Sequence, residues 1–453
     1  MAPATAVGSA VTVRRYAVVG TGHRAQMYVE ALLGEHADVG RIVAWCEPNP
    51  VRMDYYDALV RGAGHTEVPA RYAPEDIERM ILEQSVDTVI VTSPDHTHAE
   101  LATRAMRAGA DVVIEKPLTT DLAGSRRFIE ALEDTGRSLV LTFNYRYAAR
   151  NSALKEVISS GEIGEVTSVH FEWLLDTMHG ADYYRRWHRD RENSGGLLVH
   201  NSSHHFDLVN WWLDDYPSRV FASGGLRFYG DKNARARGLG KRPERGTTTP
   251  PSHDPFALDL RDDPRLTALY LDAEKHDGYL RDKDVFAPGI TIEDNMSVLV
   301  DYTRGASLTY SLNTHSPWEG YRVGINGTEG RVELEVVERG SLLPRPDGRR
   351  DLDASKTGHV DLPGELRPRT QRILVQRHWE SSREIPIVGG EGAHGGGDRQ
   401  MLADVFRGNS DDPLGRPANY KDGLRSVVVG IAATSSLRIG LPVRIDDLGL
   451  DLL

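Results

Sequence analysis

Two short stretches of this chain gather side chains capable of acid–base chemistry. In the first, the apolar run Asp111-Val112-Val113-Ile114 ends in Glu115-Lys116-Pro117. A lysine at the carboxyl end of a buried strand is hard to enclose unless it meets a partner, and an adjoining carboxylate, a substrate oxygen or a cofactor ribose would serve. Pro117 restricts Lys116 to an extended backbone and so helps to set its direction. The second stretch is Gly195-Gly196-Leu197-Leu198-Val199-His200-Asn201-Ser202-Ser203-His204-His205-Phe206-Asp207. At helical spacing His200, His204 and either Asp207 or Leu208 stack on one face, whereas His205 points elsewhere. A neutral imidazole is available near neutral pH, so His200 could act as a base, bind a substrate or join a metal site.

Such side chains need a scaffold, and its signature stands at the start of the chain. The apolar run Tyr16-Ala17-Val18-Val19 suits a buried parallel strand, and Gly20-x-Gly22-x-x-Ala25 turns it into a helix beginning near His23. Gly20 permits the tight turn, Gly22 lets a pyrophosphate approach the backbone, and Ala25 lets the helix lie close to the strand. Phosphate oxygens would meet the free N–H groups at the positive helix end. A second strand, Ile42-Val43-Ala44-Trp45-Cys46, ends in Glu47, where an acid can hydrogen-bond an adenosine ribose. That acid favours NAD over NADP, although NADP remains possible with Asn49 and Arg52 nearby. The strand 87–92 runs into Ser93-Pro94-Asp95-His96-Thr97-His98, a polar loop at the cofactor crevice. His98 opens the next helix and reads equally well as a polar first-turn residue. A last strand, 138–143, ends in Asn144-Tyr145-Arg146.

The 453 residues can bury a large core and suit two domains better than one. With 40% hydrophobic and 26% charged residues the composition is that of a globular protein. A net charge of -12 opposes a nucleic-acid partner. No apolar run reaches the roughly 18 residues that span a bilayer, so no membrane association is expected. Cys46 is the only cysteine and cannot form an intrachain disulfide. The first 13 residues read as a short tail on a cytoplasmic protein.

Strands alternate with helices over 14–150, the pattern of a doubly wound parallel sheet. Over 151–453 strands dominate. A helix is expected over 152–160 and a strand over 165–175, with Val169, Phe171, Trp173 and Leu175 on one face. Further strands are expected at 295–302, 306–312, 321–326, 331–336 and 443–445, and helices at 398–407 and 420–437. This is an α+β pattern built on a large open, mainly antiparallel sheet. Charged, Pro-, Gly- and Arg-rich passages near 231–289 and 340–372 read as inserted loops, which can cover an active site. Residues 314–319, with Trp318, offer an aromatic face to a sugar ring or form a turn. His179, His188 and the pair His394 and Asp398 raise a metal site as an idea, but the glycines between the last two make a helix doubtful, and sugar hydroxyls attract the same side chains.

Gly20-Thr21-Gly22-His23-Arg24-Ala25, Thr92-Ser93-Pro94 with His98, Glu115-Lys116-Pro117 and Asn144-Tyr145-Arg146, in this order, resemble the glucose-fructose oxidoreductase, inositol dehydrogenase and rhizopine-catabolism (Gfo/Idh/MocA) family. The resemblance implies an NAD(P)-dependent oxidoreductase acting on a sugar, cyclitol or glycoside, with Lys116 beside the nicotinamide and the substrate hydroxyl. His204 falls on the family's catalytic histidine and Asp207 on the acid after it. The acid expected four residues before that histidine is His200 here. The expected catalytic residues are therefore Lys116, His204 and His200. Cofactor contacts are expected from Gly20, Gly22, His23, Arg24, Ala25, Glu47, Ser93, Pro94, His98, Glu115, Lys116 and Asn144. Substrate contacts are expected from Lys116, Arg146, His188, His200, His204, Asp207 and Trp318, with no metal ligand. The resemblance also implies a homo-oligomer formed through the second-domain sheet. Two other classes stay open, an NAD-dependent glycosidase working by transient oxidation and elimination, and a nucleotide-retaining sensor.

Overall fold

The computed structural model describes residues 13–247, 254–343, 366–389, 396–408 and 411–450. Its first sheet contains β1 (Arg14–Val19), β2 (Gly40–Cys46), β3 (Ala70–Tyr72), β4 (Thr88–Val91), β5 (Asp111–Ile114) and β6 (Leu139–Leu141), paired in parallel in the order β3-β2-β1-β4-β5-β6. The helices α1 (Ala25–Leu33), α2 (Pro50–Gly62), α3 (Ile77–Glu83), α4 (His98–Arg107) and α5 (Leu122–Thr135) connect these strands. β4 is buried at every position because both faces of the sheet are covered.

Alternate residues along the strands face different layers. Ala17, Val19, Val89, Val91, Val112 and Ile114 pack toward Leu101, Ala105 and Phe128 of α4 and α5. On the other side Tyr16, Ile90 and Val113 meet Tyr28 and Leu32 of α1, together with Met401, Leu402 and Phe406. The last three belong to the helix Gly397–Arg407, so a late segment of the chain returns to complete this layer. A second returning segment adds Leu258, Leu260, Leu266, Leu269 and Tyr270 to a cluster with Val18, Trp45 and Tyr56.

After α6 (Ala149–Ser159) comes a nine-stranded sheet, built from β7 (Val166–Asp176), β8 (Pro217–Gly225), β9 (Asn295–Tyr302), β10 (Ser307–Ser316), β11 (Glu319–Gly327), β12 (Gly330–Arg339), β13 (Thr370–Arg377), β14 (Arg383–Ile385) and β15 (Val443–Arg444). The order is β14-β13-β12-β11-β7-β10-β9-β8-β15, antiparallel except between β7 and β10. Val169, Phe171, Trp173 and Leu175 of β7 are buried, as their alternation predicts. They face a layer that includes the helix Ser203–Leu213, where His205 and Trp212 pack on Phe171. The opposite face carries exposed Leu299 and Phe221.

Several expectations need correction. Strands β3, β8, β13 and β14 and helix α5 were not legible from pattern. β13 starts inside the passage read as an inserted loop near 340–372, and only Ile373 and Val375 are buried along it, so its polar majority masks the strand. Residues 344–365 of that passage lie outside the described residues, as do residues 1–12 of the expected tail. The passage near 231–289 is not a plain loop: it holds the short helical turns Asp231–Ala236, Leu260–Asp262, Pro264–Leu266, Thr267–Leu271 and Glu274–Asp277.

Candidate active site

The crevice lies where the strand order reverses between β1 and β4, at their carboxyl ends. Gly20, at φ +87°, follows β1, and a Cβ there would sit 2.5 Å from the Ser93 Cα that follows β4, so only glycine fits between the two loops. Thr92 Oγ1 donates to Gly20 O at 2.6 Å and fastens the same contact. A Cβ on Gly22 would meet only the Tyr270 hydroxyl, at 3.9 Å, which leaves the approach to the α1 N-terminus open for a phosphate. Glu47 accepts from Thr21 N at 2.9 Å and from Asn49 N at 3.0 Å, and pairs with Arg52 at 3.1 Å. The residues present therefore fit a dinucleotide.

Arg24 and Glu115 do not face outward together. Arg24 Nε donates to Glu115 Oε1 at 2.6 Å, and the Tyr28 hydroxyl donates to the same oxygen at 2.7 Å. Burial alone would raise the Glu115 pKa, but Arg24 and Tyr28 outweigh it and hold the carboxyl below its ordinary range. His98 has both ring nitrogens on carbonyl oxygens, Pro117 O at 2.8 Å and Ser93 O at 2.9 Å. It is fully enclosed and braces the loop after β4 against the one after β5. Asn144 is also buried and donates to Asp398 at 2.7 Å.

Lys116, half-buried after β5, meets a histidine 84 residues further along the chain. Its Nζ lies 3.3 Å from His200 Nε2 and 3.3 Å from His200 O. On the far side of the imidazole, His200 Nδ1 lies 2.5 Å from Asp95 Oδ2. Loss of hydration pulls the Lys116 amine below the usual lysine value, against the opposing pull of Asp95 and Glu115. Burial pushes Asp95 up to about 7 despite His98 and Lys116 nearby. Burial, then the Lys116 charge, holds His200 well below the ordinary histidine value. His188 packs edge-on to His200 with ring centroids 4.3 Å apart, and Trp187 stacks on His188 at 3.6 Å. The buried His188 Nδ1 has no hydrogen-bond partner in this structure, which leaves it available to a ligand.

The single helical face expected for His200, His204 and Asp207 is not formed. His200 ends the short helix Leu197–His200, Asn201 and Ser202 make a turn, and a new helix starts at Ser203. His204 stacks on Tyr145 at 4.5 Å and lies beside Phe143, at the end of β6. Asp207 and Arg146, both expected at the substrate, are buried against each other through two hydrogen bonds of 2.5 and 2.8 Å, with Asp422 3.3 Å from the same arginine. Removing one partner of such a pair strands a buried charge, so Asp207→Ala is expected to lower stability by roughly 3–5 kcal/mol. Urea unfolding checks it; an unchanged midpoint with a raised KM would return Asp207 to the substrate.

Trp318 is buried, with Arg367 over its ring at 4.5 Å and Arg322 at 5.5 Å, so it presents no open platform. Strands β10 and β11 run through Ser316 and from Glu319, leaving only residues 317–318 as the link. His179 pairs with Glu319 at 2.9 Å. His394 lies outside the described residues. Among the described residues no group of His, Cys, Asp and Glu is arranged to hold a metal ion. Asp95 was missed as a site residue. Its loop was legible as crevice-lining, but its partner is 105 residues away.

A cavity of 740 Å³ has Arg186, Trp187, Asp190, Asn193 and Tyr279 in its wall. Trp187 of its wall stacks on His188, but Lys116, His188 and His200 do not line the cavity.

Residues 14–143 match the family model described as the oxidoreductase family NAD-binding Rossmann fold, and residues 155–445 match its C-terminal alpha/beta domain. The chain belongs to the Gfo/Idh/MocA oxidoreductase family. It is an NAD-dependent oxidoreductase of that family, with its Rossmann sheet first and its mainly antiparallel sheet second. This Gfo/Idh/MocA chain is 33% identical over 434 residues to the oxidoreductase YteT of Bacillus subtilis (strain 168), covering 93% of this chain and 95% of that one. It is 28% identical over 212 residues to inositol 2-dehydrogenase of Rhizobium meliloti (strain 1021), covering 47% of this chain and 58% of that enzyme. Aldose-aldose oxidoreductase from Caulobacter crescentus, solved with glycerol, shares the fold at TM-score 0.61 and 18% identity, over 96% of this chain and all of that one, 100%. The WlbA dehydrogenase from Bordetella pertussis, solved with NADH and UDP-GlcNAcA, shares it at TM-score 0.60 and 17% identity, over 96% and 99%. Among the described residues of this Gfo/Idh/MocA protein no helix is long and apolar enough to cross a membrane.

Proposed function

We propose that this enzyme oxidises a secondary hydroxyl of a sugar, cyclitol or glycoside, with Lys116 and His200 handling the hydroxyl proton. The observation that carries the reading is the chain Asp95, His200, Lys116, in which each polar side chain is within hydrogen-bonding reach of the next. An ionised Asp95 keeps the imidazole proton on Nδ1 and leaves the Nε2 lone pair facing Lys116. Lys116 orients the hydroxyl and passes its proton to Nε2, while the substrate C–H bond gives up its electron pair. NAD, when bound, supplies the hydride acceptor. The acid that the family has at position 200 is thus replaced by an acid one imidazole further out, contributed by the loop after β4. His204, stacked on Tyr145, is retained as a second base candidate on the family pattern.

The substrate class rests on the relatives and on the polar groups around His200. His188 Nδ1 adds a hydrogen-bonding group next to His200. Inositol 2-dehydrogenase and aldose-aldose oxidoreductase act on molecules of this class by name. The exposed sheet face with Leu299 and Phe221 supports a homo-oligomer. The division into two domains is drawn near Arg150.

The test is to incubate purified protein with a panel of sugars, cyclitols and glycosides, following nicotinamide absorbance and product masses together. Absorbance change with a product two hydrogens lighter supports net oxidation. Cleaved glycoside without net absorbance change would mean the redox-neutral glycosidase reaction instead, and no turnover on any of them would sink the assignment.

NADH is expected to bind about 10-fold or more tightly than NADPH. Glu47 accepts ribose hydroxyls and repels a 2′-phosphate, and Arg52, the cation that could receive that phosphate, is already held by Glu47 at 3.1 Å and Asp277 at 2.6 Å. Fluorescence titration of both cofactors decides it, and tighter NADPH would refute it.

A further inference from the structure

We propose that residues 254–279, which follow the second domain's β8, complete the dinucleotide site, with the Tyr270 hydroxyl as a pyrophosphate ligand. The segment is anchored on the first sheet by apolar packing: Leu258, Leu260, Leu266, Leu269 and Tyr270 join Val18, Ala25, Val29, Trp45, Met53, Tyr56 and Val60 in one buried cluster. On its inner side the segment's polar contacts reach the glycine turn, the loop after β2 and the start of α2. Tyr270 accepts a hydrogen bond from His23 N at 3.1 Å, across 247 residues of sequence. Asn49 Nδ2 donates to Ala273 O at 3.0 Å and to Asp277 Oδ2 at 2.8 Å. Arg52 donates to Leu269 O at 3.2 Å and pairs with Asp277 at 2.6 Å. The outer flank is tied to the second domain, where Arg245 meets Glu274 at 2.5 Å and Asp282 at 2.6 Å, and Arg281 meets Asp182 at 2.7 Å.

The chemistry follows from which atoms remain. The N–H groups just ahead of α1 are those that a glycine turn presents to phosphate. Tyr270 uses an oxygen lone pair on the His23 N–H, so its own O–H proton is left to donate. It is only 7% exposed, and its hydroxyl lies beside Gly22, where the backbone is open to a pyrophosphate. A phosphate oxygen there receives the tyrosine O–H from one side and, from the other, a turn amide that is not already bonded to Glu47 or Tyr270. At the ribose end, the contacts of Asn49 and Arg52 with Asp277 close the segment over Glu47. The contacts that this segment adds at the pyrophosphate and ribose then slow release of the dinucleotide.

The experiment uses full-length protein freed of cofactor, titrated with NADH, ADP-ribose and adenosine, with release of NADH followed by stopped-flow fluorescence. Tyr270→Phe keeps the packed ring and removes only the hydroxyl. It is expected to weaken NADH and ADP-ribose by about 10-fold or more, mostly through faster release, and to leave adenosine unchanged, because a hydrogen bond to a charged group is lost. Asp277→Ala is expected to speed NADH release and to weaken adenosine as well. NADH affinity in Tyr270→Phe within about twofold of the parent would overturn the proposal. Tighter binding in that variant would overturn it too, since the hydroxyl would then be occupying the phosphate's place. None of these readouts needs a substrate, so they stand apart from the substrate assignment. Thermal melting confirms folding, and Tyr270→Phe alone decides the matter if Asp277→Ala does not fold.

Discussion

Lys116→Met is expected to reduce turnover by on the order of 100- to 10,000-fold while the protein stays folded and still binds NADH within a few-fold of the parent. The side chain contributes one positioned nitrogen, 3.3 Å from His200 Nε2, and methionine keeps most of the volume without it. Folding should survive because the strand end is held by other groups. Glu115 remains paired with Arg24 and Tyr28, and His98 still joins the loops carrying Ser93 and Pro117. The loss should appear in kcat and kcat/KM together, because the nitrogen acts on the proton that moves during reaction. The check is steady-state turnover on the substrate found in the panel, beside an NADH titration and a melting curve. Turnover near the parent's in folded protein would remove Lys116 from the mechanism.

His200→Asp, which restores the family's acid, is expected to lower turnover by on the order of 100-fold or more. Asp95 Oδ2 is 2.5 Å from the His200 ring, so an aspartate at 200 sets a second carboxylate facing the first in a buried site and shortens the reach toward Lys116. Adding Asp95→Asn should recover part of the loss, because one carboxylate then remains. A purely structural His200 would show no such rescue.

The pH profile gives an independent sign. Burial raises Asp95 to about 7, so the carboxylate that keeps Nε2 free forms only as pH rises through about 7. Oxidative turnover in the parent should therefore rise with pH across that range, and Asp95→Asn should be slow and lack that limb. A profile unchanged in both Asp95→Asn and His200→Gln would return the pair to a structural role.

How much of this site was legible in the chain depends on the distance over which each signal acts. Gly20 and Gly22 were readable because a strand-to-helix turn is made by neighbours, and the structure needs Gly20 for the same reason, its contact with Ser93. Lys116 was readable because an apolar strand that ends in a charged residue delivers it to the carboxyl end of a sheet. The alternation of β7 was readable because strand period and burial coincide. The expectation for His200, His204 and Asp207 went wrong because helical spacing says nothing about where a helix breaks, and the break at residues 201–202 sends Asp207 to Arg146 and His200 to Asp95.

By itself, then, the sequence determined the parallel sheet, its dinucleotide turn, the position of Lys116 at the carboxyl end of a strand and the family pattern from which His200 departs. These are set by period, glycine geometry and local order, all of which act within a few residues. Only the tertiary structure decided which groups meet. Asp95 faces His200 across 105 residues, Tyr270 reaches His23 across 247, and Phe406 closes a layer against Tyr16. Each contact joins segments brought together by the burial of apolar surface between layers, and burial is a property of the assembled layers that no single segment's pattern contains.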